Sequence, residues 1–171
     1  MSVSFFARNR WGRRRNPNAA DCIANFLRLP EHQWIAANHT LLGRIAEFLS
    51  QIPATELAVI LEERRLLLLY CNQKMSCAFH QFQGREIVLV FPELLRLLHS
   101  SEYLQGFAIL AHELGHIFHG HSQKEIDPIQ AQLEADRYAA NLGFAEELFA
   151  VLRVEGTSTE IRERLAALRL L

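Results

Sequence analysis

Residues 106–121 read GFAILAHELGHIFHGH, and this stretch organises the rest of the chain. Its centre, His112-Glu113-Leu114-Gly115-His116, places two histidines four residues apart. On a helix, residues four apart share a face, so both imidazoles can reach one metal ion, with Glu113 placed to hold a metal-bound water. The surroundings are helical in character. Ser100 and Ser101 are candidate N-caps, Glu102 complements the N-terminal dipole, and Leu104, Phe107, Ala108, Ala111, Gly115 and Phe118 form an apolar stripe at 3/4 spacing. His112, His116 and His119 fall on the neighbouring flank.

A second segment agrees with a metal. Asp127-Pro128 followed by Gln130 is a helix start, with Asp as N-cap and Pro at the first helical position, and Gly143 is a C-terminal stop. On a wheel at 100° per residue, Gln130, Glu134, Arg137 and Asn141 gather on one side of residues 128–142. The other side is apolar, yet Gln132 and Asp136 lie in its middle, one turn apart. Two polar groups placed there are costly unless something satisfies them, and a metal site is such a partner.

HELGH followed by a helix carrying Gln132-x-x-Ala135-Asp136, a variant of Glu-x-x-Ala-Asp, resembles the gluzincin clan of zinc metallopeptidases. With a further His at 121 and Glu-Ala-Asp-Arg at 134–137, the chain is most similar to soluble relatives of the CAAX-prenyl and heat-shock membrane endopeptidases. It also resembles the small repressor-cleaving (ImmA/IrrE-like) peptidases. The similarity covers roughly residues 60–145. It implies an α+β fold: a minimal gluzincin-like domain with a small antiparallel sheet, whose edge strand precedes the HExxH helix, a third-ligand helix, and extra helices at both ends. It also implies a zinc-dependent endopeptidase acting on a protein or peptide substrate, with Glu113 catalytic and Zn2+ held by His112, His116 and the later helix.

In that family the third ligand is a Glu four residues before the Asp, and here the position is Gln132. Three arrangements stay open: Gln132 coordinates, Asp136 moves from orienting a histidine to binding the ion, or the helix is locally shifted. Glu134 lies about 200° around the helix from Gln132, among the solvent-facing residues. A neutral amide is a poor zinc ligand, so a non-catalytic regulatory or protein-binding domain is the alternative reading. His119-Gly120-His121 does not match HExxHxxGxxH, which needs Gly at 119 and His at 122.

The chain has 171 residues, half of them hydrophobic and 22% charged, a globular composition suited to one domain. Net charge is −1 but uneven. Five arginines and no acid lie in residues 1–15, so the remaining 13 basic and 19 acidic residues leave the body at −6. Residues 1–18 read as a basic, flexible arm, and 19–171 as one domain. Arg8 to Arg15, interleaved with Trp11, offers contact with nucleic acid or an acidic partner, although a poorly ordered terminus is the preferred reading. Three cysteines, Cys22, Cys71 and Cys77, are too few for a disulfide scaffold, and no apolar run reaches the roughly 18 residues of a membrane helix. A cytoplasmic location is expected.

Elsewhere, helices are predicted over 19–29, 31–38, 40–51, 55–63, 93–99, 145–154 and 158–171. Three strands are predicted: Leu66 to Cys71, Cys77 to Phe82, and Glu86 to Phe91. A substrate strand is expected to add alongside Ile87 to Phe91 through main-chain hydrogen bonds.

Overall fold

A computed structural model describes residues 18–72 and 84–171. The basic arm, Cys77 and the middle predicted strand, Cys77 to Phe82, lie outside the described residues. The described chain is mostly helical. Helix α1 (Ala19–Leu27), a 3-10 turn (Pro30–His32), α2 (Gln33–Ala36), α3 (His39–Ser50) and α4 (Ala54–Ala58) come first. A π-helical turn (Val59–Glu63) then leads into β1 (Leu67–Tyr70). Strand β2 (Ile87–Val90), α5 (Pro92–Leu98) and α6 (Tyr103–His119) follow, and α7 (Pro128–Asn141), α8 (Ala145–Glu155) and α9 (Thr159–Leu168) close the chain.

The sheet corrects one expectation. β1 and β2 pair in parallel, Leu67 opposite Ile87 through Tyr70 opposite Val90, where an antiparallel sheet was predicted. The reason is chain length. Parallel neighbours need a connection of a dozen residues or more, and residues 71–86 supply it, whereas antiparallel neighbours can be joined by a two-residue turn. Alternation of apolar residues reports which face is buried but not strand direction. Val88 and Val90 are buried, as are Leu67 and Leu68.

The helix ends follow local chemistry. Asp127 accepts from the N–H groups of Ile129 and Gln130 at 3.1 Å each, a cap stabilising the α7 start by about 1 kcal/mol. Helix α6 departs from expectation: Glu102 is its N-cap with no side-chain bond, while Ser100 Oγ accepts from the Glu102 N–H at 3.0 Å within the preceding turn. Leu104, in the first turn of α6, is 37% exposed and stands outside the buried stripe. Phe107, Ala108, Ala111 and Gly115 form that stripe and are buried.

Two features position the site. Phe48 of α3, Phe107 of α6 and Phe144 after α7 meet with ring centroids 5.3–6.2 Å apart, anchoring α6 in the core. Gly115 and Ala135 bring α6 and α7 together: a Cβ at Gly115 would stand 2.9 Å from Ala135 Cα. Only a residue without a side chain fits, and that approach lets α7 side chains reach the histidines of α6.

Candidate metal centre

Helix α6 presents His112 and His116 on consecutive turns, and their Nε2 atoms stand 3.2 Å apart. That is close to the separation of two nitrogens bound to one ion at roughly 2.0–2.1 Å in tetrahedral geometry. The outer nitrogen of each ring is engaged. His112 Nδ1 lies 2.7 Å from Asp136 Oδ1, and His116 Nδ1 lies 2.8 Å from His121 Nδ1. Burial, reinforced by the neighbouring His112 and His121, pushes His116 down to about 4, so it is neutral near neutral pH.

Asp136, on α7, is buried, and both its oxygens are held. Arg164 of α9 donates through Nε to Oδ2 at 2.8 Å and through Nη2 to Oδ1 at 2.7 Å. Burial alone would raise the carboxyl. The hydrogen bonds from Arg164 and His112 outweigh it and hold Asp136 below the usual carboxylate range. An ionised Asp136 is acceptor-only, so His112 donates through Nδ1–H and its Nε2 keeps a lone pair.

Gln132 sits one turn before Asp136, and its Oε1 is buried without a hydrogen-bond partner. A buried amide oxygen left unpaired needs a donor or a cation. Gln132 lines one cleft with His112, Glu113, Glu155 and Arg164, a space of about 200 Å³ whose apolar wall includes Leu148 and Leu152 of α8. Glu134 faces the other way. Its side chain is 29% exposed, and it accepts from His121 Nε2 at 3.0 Å and Gln130 Nε2 at 3.0 Å. The bonds from Gln130 and then His121 hold its carboxyl below the usual range.

Residues 68–147 match the model of peptidase family M48. The match spans a little under half of the chain and includes all but the first residue of β1, together with β2, the HELGH helix and all of α7. It supports a metallopeptidase, in a family of typically zinc-dependent enzymes. No curated protein and no solved structure matches the chain. Among the described residues, no three His, Cys, Asp or Glu side chains are grouped to hold a metal ion. The residues that could hold a cation are the two imidazoles and Gln132, whose unpartnered oxygen belongs to an amide and not to a carboxylate.

The structure thus brings His112, Glu113 and Gln132 to one cleft, sets His116 and Asp136 against His112, and sets Glu134 on the far side of His116, behind His121. Arg164 is the residue that sequence reasoning missed. It lies beyond the matched stretch, on the Ile161, Arg164, Leu168 stripe of α9, all three buried. A charged residue on an apolar stripe is the same signal that marked Gln132 and Asp136 on α7.

Proposed function

We propose that this chain is a zinc-dependent metallopeptidase that hydrolyses peptide bonds of a protein substrate. The observation that carries this reading is the 3.2 Å approach of His112 Nε2 and His116 Nε2, where His112 lines a cleft together with Gln132 and Glu113. His112, His116 and Gln132 would hold the ion, and Asp136 would orient His112, as carboxylates behind metal-binding histidines do. Zinc bound there supplies Lewis acidity toward a carbonyl oxygen and acidifies a water. Glu113 takes the proton from the attacking water and delivers it to the leaving amine. The substrate strand is proposed to add alongside β2, the strand that runs through α5 into α6. Glu155 and Arg164 line the same cleft.

The direct test is cleavage of an unfolded protein, such as reduced casein, by the zinc-loaded chain. Cleavage that Glu113→Gln abolishes supports the reading, and no cleavage by a fully zinc-loaded wild type contradicts it. Gln132 favours a second reading, a gluzincin-like domain that binds a protein partner without cutting it. Gain of activity in Gln132→Glu from an inactive wild type would select that reading. A role for Arg8 to Arg15 in binding nucleic acid or an acidic partner is a separate proposal, and salt-sensitive binding lost on deletion of residues 1–17 would support it.

A further inference from the structure

A carboxylate ends the apolar stripe of α8. Leu148, Leu152 and Glu155 stand four and three residues apart, so they share a face of the helix, and all three line the cleft with His112 and Glu113. Leu148 and Leu152 are buried, Val151 beside them is half-buried, and Glu155 is exposed. Ile109, one turn before Glu113 on α6, adds apolar surface to the same space of about 200 Å³. The α8 wall therefore runs from buried leucines to a carboxylate in water.

Stability alone does not favour an acid at this place. Glu155 is the last residue of α8, where the final carbonyls of a helix carry partial negative charge and repel an acidic side chain. Arg153, the basic residue of that turn, stands about 200° around the helix from Glu155 and does not line the cleft. Among the described residues, Glu155 belongs to no ion pair. Arg164 is a cation in the same cleft, but Asp136 holds it through both Nε and Nη2, so its charge is matched. Glu160 Oε1 lies 3.8 Å from Arg164 Nη1, a second acid against the same guanidinium. What remains beside the apolar wall is a carboxylate and a helix C-terminus, and both attract a cation.

We propose that this cleft binds a lysine or arginine side chain of the substrate, its aliphatic stem on Leu148, Val151 and Leu152 and its charged head at Glu155. Long basic side chains lay their stems on apolar surface and keep the head in water, which suits a wall that ends in an exposed carboxylate. Because His112 and Glu113 line the same cleft, Glu155 is a specificity-determining residue that selects a basic side chain next to the bond that is cut. The cut bond rests on the metallopeptidase reading above; the pocket for a basic side chain does not.

The test is binding of peptides acetyl-Ala-Ala-X-Ala-Ala-amide, with X lysine, norleucine or glutamate, to the full-length Glu113→Gln chain in the presence of zinc at low salt. Affinity is read from amide NMR shifts. The lysine peptide should bind about two- to fivefold more tightly than the norleucine peptide, the scale of an exposed ion pair, and should move the amides of residues 151–155. Adding Glu155→Gln should erase that ratio and leave thermal stability unchanged or higher, which a purely structural Glu155 would not do. Equal binding of the lysine and norleucine peptides, tighter binding of the glutamate peptide, or no binding of any of them would overturn the proposal. So would a lysine preference that survives Glu155→Gln, or binding that requires a free peptide N-terminus in place of the acetyl group. Absence of cleavage by the zinc-loaded wild type contradicts the metallopeptidase reading instead, and the lysine-to-norleucine ratio still decides the pocket.

Discussion

His112 Nδ1 and Arg164 Nη2 converge on one oxygen, Oδ1 of Asp136, each at 2.7 Å. A helix outside the stretch matched to the peptidase family therefore holds the carboxylate that holds the first histidine. Arg164→Met should leave Asp136 buried with half of its partners. Removing one member of a buried ion pair costs about 3–5 kcal/mol, and chemical denaturation should show a loss of that order. Asp136→Asn, which keeps the shape but not the charge, should weaken zinc binding measured by competition with a chromogenic chelator.

Gly115→Ala should displace α7 from α6. The added Cβ meets backbone at 2.9 Å and Tyr138 Cβ at 3.0 Å, and neither can swing away. Overpacking of this kind costs roughly 1–3 kcal/mol, and zinc affinity should fall with it because Gln132 and Asp136 ride on the displaced helix. A variant of unchanged stability would show that the helices separate freely.

How much of this was legible in the residues differs by element. The HELGH helix declared itself through its stripe, and α7 through Asp127-Pro128 and the two polar residues inside its apolar face. Arg164 on α9 carried the same signal, but nothing in a single helix names the partner that satisfies a buried charge. The parallel pairing of β1 and β2 was hidden because alternation is blind to strand direction. His121 was hidden for a different reason. Its return onto His116 depends on the left-handed backbone of Gly120, which the letters show only as a glycine.

Acid should destabilise the fold through His32. This buried ring accepts from the Leu68 N–H at Nε2, 3.1 Å, and lies 2.7 Å from the Phe26 carbonyl at Nδ1, tying the end of α1 to β1 in the neutral form. Burial lowers its pKa below the ordinary 6.5, against the smaller opposing pull of Phe26 and Glu31. A depressed value means the unfolded chain takes up the proton first. The contribution is therefore complete above pH 6.5 and declines as pH falls below it, by at most ~1.4 kcal/mol per pH unit. Urea denaturation of the wild type at pH 7 and pH 5 should show the loss, and His32→Gln should be less stable at pH 7 but lose less on acidification.

Gln132→Glu should tighten zinc by about tenfold or more, equivalent to ~1.4 kcal/mol, by putting a carboxylate where a buried amide oxygen now stands unpaired. Gln132→Leu should bind zinc more weakly than wild type while folding at least as well, since it removes a buried polar atom that no protein group satisfies. Equal zinc affinity in all three proteins would remove Gln132 from the donor set.

The most direct measurement is zinc uptake by the full-length chain, followed by titration calorimetry and metal analysis after dialysis. The wild type should bind about one zinc per chain, Glu113→Gln should retain it because Glu113 acts on the water, and His116→Ala should lose most of it. A wild type that binds no zinc at micromolar concentration, or a His116→Ala protein that binds it as well as wild type, would contradict the assignment of His112 and His116 as one metal centre.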